Sequence, residues 1–119
     1  MRIAFDVMGT IEGPKQKQVL ELFSRLWTAG HEMFVWSNLE SYAVDAIKKH
    51  NLPATSMRKY SSTDAEERGF MDLAIEDDPS QTWLGAKQIV LVSELPAKTE
   101  FLLKQFGVAK TPWSSHEQE

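Results

Sequence analysis

Short apolar runs of strand length alternate along this chain with stretches whose apolar residues recur at helical spacing. That alternation limits the possible folds more than any other feature of the sequence. Arg2-Ile3-Ala4-Phe5-Asp6-Val7 is an apolar run ending in a polar turn, Met8-Gly9-Thr10, and reads as a buried strand. Pro14 to Ala29 carries Val19, Leu20, Phe23, Leu26 and Trp27 at helical spacing, with Pro14 near its start and Gly30 just past its end. Met33-Phe34-Val35-Trp36 reads as a second strand, and Leu39 to His50 as a second helix with Ala43, Ala46, Ile47 and His50 on one face. Asn51-Leu52-Pro53 breaks that helix, Ala54 to Lys59 reads as a weaker third strand, and Thr63 to Arg68 as one or two helical turns. Met71-Asp72-Leu73-Ala74-Ile75 is a short strand running into Glu76-Asp77-Asp78-Pro79, and Gln88-Ile89-Val90-Leu91-Val92 is the clearest strand. Pro96 to Phe106 reads as the last helix, stopped by Gly107.

Strands alternating with helices predict right-handed βαβ units, hence an α/β domain with a five-stranded, mainly parallel sheet covered on both faces. The helix before Gly30 and the last helix are expected on opposite faces or flanking the central strand. The chain has 119 residues, 42% of them apolar and 25% charged, which fits one ordinary globular domain, taken as residues 1–109 with a flexible tail over 110–119. The absence of Cys excludes disulfides, thiolate metal sites and a Cys nucleophile, and suits a reducing compartment, so a cytoplasmic location is expected. Neither a signal-like apolar run nor a bilayer-length stretch occurs, so no membrane partner is expected. A net charge of −4 argues against a duplex nucleic-acid partner, and Lys15-Gln16-Lys17 and Lys48-Lys49 read as wet helix faces.

Ligands of such sheets bind beyond the carboxyl ends of the strands. The polar residues there are Asp6, Ser37-Asn38, Lys59 and Glu76-Asp77-Asp78. Carboxylates gathered at one edge repel one another unless a cation lies between them, and an oxygen-only donor set points to a hard cation, Mg²⁺ before Ca²⁺. Asp6 is then a candidate nucleophile, Lys59 a neutraliser of charge on a transferring group, and Ser37 a hydrogen-bond donor to it. Backbone N–H groups of the Met8-Gly9-Thr10 turn are candidates to hold phosphate oxygens, which makes Gly9, Thr10 and the neighbouring Asn38 candidate substrate contacts.

Phe5-Asp6-Val7-Met8-Gly9-Thr10, then Val35-Trp36-Ser37-Asn38, then a Lys, then Ile75-Glu76-Asp77-Asp78 resembles the haloacid dehalogenase-like (HAD) superfamily over roughly residues 2 to 106. The resemblance implies a Rossmann-like three-layer fold and a Mg²⁺-dependent phosphohydrolase acting through an aspartyl-phosphate on Asp6. It implies a metal held by Asp6, the Met8 carbonyl and Asp77, a phosphoryl group bound by Ser37, and Lys59 bridging it to the nucleophile. Lys48, Lys49 and Arg58 are alternatives to Lys59, and the acidic run can be registered two ways, which adds Asp78 to the metal candidates. Family phosphatases carry a second Asp, their general acid, where this chain has Met8. Three readings remain open: substrates with good leaving groups, a proton from Glu12 or Thr10, or a binding module that holds a phosphorylated ligand without turnover. No cap domain fits between the motifs, so the site is expected to be open, which in that family suits a large substrate, such as a protein or a nucleic-acid end, or a partner subunit that closes it. Receiver domains share an acidic cluster, a Ser/Thr and a Lys, but in another order.

Several of these residues also have plain structural readings. Ser37 with Glu40, and Thr63 with Glu66, have capping-box spacing. His31, His50 and His116 lack ligand spacing and read as structural or surface residues. Trp27, Trp36, Trp83 and Trp113 read as packing, with Trp36 notable beside Ser37.

Overall fold

The structure, a computed structural model, describes residues 1–107; the tail expected from residue 110, with Trp113 and His116, lies outside the described residues. Five strands form one sheet: β1 (Arg2–Asp6), β2 (Glu32–Ser37), β3 (Thr55–Arg58), β4 (Leu73–Glu76) and β5 (Ile89–Leu91). The helices are α1 (Gln16–Thr28), α2 (Glu40–His50), α3 (Ser62–Arg68) and α4 (Thr99–Phe106). The strand order is β3-β2-β1-β4-β5 and every pairing is parallel. The chain runs outward from β1 through β2 to β3, then returns to the other side of β1, so the topological switch lies between β1 and β4. Among the described residues no helix is long and apolar enough to cross a membrane.

Period-two alternation along the strands splits the core into two layers. Ile3, Phe5, Val35, Leu73, Ile75 and Val90 face one layer with α1, α2 and α4. Ala4, Phe34, Trp36 and Ala74 face the other with Tyr60, Ala65 of α3, Met71 and Leu84. Phe5 and Phe23 meet edge to face at 5.2 Å and tie β1 to α1. Removing the Phe23 ring would cost about 3–5 kcal/mol.

Of the two expected helix placements, opposite faces is corrected: α1 and α4 pack on the same face, and Arg25 of α1 pairs with Glu100 of α4 at 2.8 Å. The steps β1→β2 and β3→β4 run in opposite directions, so right-handed crossovers put α1 and α3 on opposite faces; α4 follows the edge strand and folds back beside α1. In α1, Leu22 is buried and Trp27 is 50% exposed; Trp83, also expected to pack, is 43% exposed. Neither expected capping box forms in the expected register. Ser37 ends β2 and Leu39 caps α2, while Ser61 caps α3 by accepting from the Asp64 N–H at 3.2 Å. His31 is buried, with Nε2 2.7 Å from the Gly107 carbonyl, which agrees with a structural role.

Candidate functional site

Asp6, Trp36 and Glu76 sit at the carboxyl ends of three neighbouring strands. Asp6 is opposite Trp36, and Glu76 follows the Phe5–Ile75 pair by one residue. The same alternation that puts Ala4, Phe34 and Ala74 on one face turns these three side chains toward one another. Lys59 follows β3, and its N–H bonds the Ser37 carbonyl at 3.0 Å, extending the ladder past the strand end. Its ammonium lies 2.9 Å from Asp6 Oδ1, 2.7 Å from Glu76 Oε1 and 2.7 Å from Gln81 Oε1, so all three donors are used. Glu76 Oε2 accepts from the Trp36 indole N–H at 2.8 Å, and Asp6 Oδ2 accepts from the Thr10 hydroxyl at 3.1 Å. Asp6, Ser37, Lys59, Glu76 and Thr10 are all buried.

Burial pushes the Asp6 carboxyl up against the pull of Lys59, and the Asp77 carboxylate adds a smaller push in the same direction. Burial and then repulsion from Asp6 push Glu76 up to about 7, opposed by Lys59 and Trp36. Burial also works against the Lys59 ammonium, but Glu76 and Asp6 outweigh it and hold Lys59 above the ordinary lysine range. Two carboxylates and one ammonium in a dry corner are costly to assemble and are held by one another.

These groups border an open cavity of about 300 Å³ lined by Asp6, Met8, Ser37, Asn38, Lys59 and Asp77, with Asp78 and Gln81 also on its wall. Met8, Leu39 and Tyr42 are exposed at its mouth. Only α3 and short loops join β3 to β4, and among the described residues no cap covers the opening. A larger cavity of about 560 Å³ lies between α1 and the loop after α2, but its lining is mainly apolar and holds His50 as its one ionisable side chain.

The sequence-derived candidates separate here. Lys59, rather than Lys48, Lys49 or Arg58, reaches Asp6: Lys49 pairs with Glu12 at 2.6 Å, and Arg58 lines the next cavity. Asp6, Glu76 and Asp77 each offer a carboxylate oxygen within 4.8 Å of the others; Asp78 is not in that group. Asp78 instead accepts from the Ser80 N–H at 2.9 Å, a bond that lowers its carboxyl below the usual range. Glu76 and Asp77 thus gather with Asp6, while Asp78 lies on the cavity wall outside that group. Both Glu76 oxygens and both Asp6 oxygens are already bonded, so a cation beside Asp77 would share Asp6 with Lys59 and Thr10. Oxygen donors suit a hard cation, of which Mg²⁺ usually takes one or two carboxylates, so this set could hold one.

Gly9 has φ +81, and a Cβ there would lie 2.1 Å from Asp77 Oδ2, so only Gly lets the loop after β1 approach the loop after β4. The expected phosphate nest is corrected in part: the Gly9 N–H bonds the Glu12 carbonyl and the Thr10 N–H the Val7 carbonyl, both at 3.1 Å. Thr10 acts instead through its hydroxyl on Asp6. Thr10 and Glu12 are both engaged. Thr10 is donated to Asp6, and Glu12 is held by Lys49 and His50, whose hydrogen bonds lower its carboxyl below the usual range. Gln81 and Trp36 complete the site. Trp36 was signalled by its place beside Ser37; Gln81 lies in the loop between β4 and β5, where no pattern marks it.

No family model, curated protein or solved structure matches this chain.

Proposed function

We propose that the chain is a HAD-like, Mg²⁺-dependent phosphohydrolase in which Asp6 forms an aspartyl-phosphate. The observation that carries this reading is the Lys59 ammonium held between Asp6 and Glu76 at the switch point, with Thr10 fixing the second Asp6 oxygen. Those contacts orient the nucleophile before substrate arrives. An Asp6 oxygen attacks phosphorus, the bond to the leaving oxygen breaks with its electron pair, and that oxygen takes a proton from water. Water then attacks the acyl-phosphate, releasing phosphate and restoring the Asp6 carboxylate. Asp6 and Asp77 with the Met8 carbonyl would hold Mg²⁺, which supplies charge neutralisation for the incoming phosphate. Ser37 and Asn38 at the cavity wall bind phosphoryl oxygens.

Met8 supplies no proton, and an acid at that point is worth about 10²- to 10⁴-fold. The enzyme therefore favours esters with good leaving groups and is slow on alkyl phosphates. A second reading, a binding module that retains the metal and phosphate site, is favoured by Met8 and by the commitment of both Thr10 and Glu12. Hydrolysis of p-nitrophenyl phosphate, with Mg²⁺ and with EDTA, separates the two. Turnover that needs both Mg²⁺ and Asp6, lost in Asp6→Asn, is expected; none in the folded protein would leave the binding module.

A further inference from the structure

A second cavity of about 450 Å³ adjoins the first, and Asn38 and Lys59 line both. Its other walls are Arg58, Tyr60, Ser61, Asp64, Arg68 and Trp83. The chain as a whole carries a net charge of −4, yet here Arg58, Lys59 and Arg68 face a single carboxylate, Asp64. Lys59 is already committed to Asp6 and Glu76. Among the described residues, neither Arg58 nor Arg68 forms an ion pair. The compartment also has a firm floor. The Arg68 guanidinium sits 4.2 Å from the Tyr60 ring centre, and Tyr60 donates to the Gly69 carbonyl at 2.8 Å and meets Trp36 edge to face. Trp83 is fixed through its carbonyl, which accepts from the Ser62 N–H at 2.8 Å, while its side chain stays 43% exposed on the wall.

A planar, always-charged guanidinium held on a ring, a second one nearby and an exposed indole make a receptor for an anion carried on a flat group. We propose that this compartment receives the leaving-group half of the substrate and selects phosphomonoesters with a second anionic group, a carboxylate or a phosphate, borne on a planar scaffold. The inference rests on the phosphoryl reading of the Asp6 cavity. Arg58 and Arg68 bind the second anion, Trp83 packs against the scaffold, and the phosphoryl group lies across Lys59 at Asp6.

Binding of non-hydrolysable ligands to the full chain with Mg²⁺, measured by calorimetry, tests this without turnover. The probes are benzylphosphonate, 4-(phosphonomethyl)benzoate and p-xylylenediphosphonate. One or both doubly anionic probes should bind roughly tenfold more tightly than benzylphosphonate, as charge-assisted contacts at a partly exposed site allow. Their ranking names the anion. Arg58→Gln, at an exposed position, should remove most of that preference and leave benzylphosphonate unchanged; Arg68→Gln should do the same, and added salt should shrink it. Equal affinities for all three probes, or an Arg58→Gln effect on all three alike, would overturn the proposal. Failure of benzylphosphonate itself to bind would instead overturn the phosphoryl reading, and the proposal with it.

Discussion

The two ends of the sheet handle buried polarity in opposite ways. At the carboxyl end, Asp6, Thr10, Lys59 and Glu76 are buried within one connected cluster, with buried Ser37 beside it. At the amino end, His31 is the one buried ionisable side chain among the described residues, and a backbone carbonyl satisfies its Nε2. A single ring with a backbone partner is what a core tolerates for structural reasons. A cluster with two carboxylates and an ammonium is costly, and a fold that needed only stability would do better with apolar side chains there. The contrast is what supports placing the proposed chemistry at the carboxyl end.

The sharpest way to break this contrast is Lys59→Met. It leaves two buried carboxylates without their cation and should lower unfolding free energy in urea by about 3–5 kcal/mol. A loss below about 1 kcal/mol would mean that the cluster is wet and loosely held. Asp77→Asn and Gly9→Ala come next. Each should weaken Mg²⁺ binding by about tenfold or more, the first by removing a ligand and the second by driving a Cβ into Asp77. Mg²⁺ titration of both variants checks this, and an unchanged affinity in Asp77→Asn would remove it from the ligand set.

The two ends should also differ in the sign of their pH dependence. Glu76 is raised from its ordinary 4.5 to about 7, so the native state binds the extra proton, and stability falls as pH rises through that window. Burial lowers the His31 imidazole despite its bond to Gly107, so the unfolded state binds the extra proton, and stability falls as pH drops below about 6.5. Unfolding measured across pH should lose the first slope in Glu76→Gln and the second in His31→Gln. The smallest effect belongs to Glu12→Gln. That side chain's charged partners lie on α2 near the surface, with Gln16 of α1 as a neutral third, so stability should change by less than about 1 kcal/mol and turnover by less than about twofold. A large fall in turnover would make Glu12 the missing proton donor after all.

Much of the carboxyl end was legible because parallel βαβ topology brings strand-end residues together wherever they lie in the sequence. Asp6, Ser37 and Lys59 followed from that rule alone. The acidic register did not, because one residue decides which carboxylate ends β4 inside the sheet and which two enter the loop, and all three are acidic. Glu76 is the one inside, since Ile75 pairs with both Phe5 and Val90. Gln81 was hidden for another reason: loop geometry, which carries no periodicity, brings it to Lys59. The capping register of α2 was misplaced because β2 runs through Ser37, which leaves that residue extended and its side chain on the cavity wall.

Binding of aluminium fluoride in the presence of Mg²⁺, followed by fluorine NMR, tests most directly whether Asp6 is set for in-line attack. A bound resonance is expected that vanishes with EDTA and in Asp6→Asn. Mg²⁺ uptake with no bound fluoride species in the folded wild-type protein would contradict the nucleophile assignment and leave a metal-binding module.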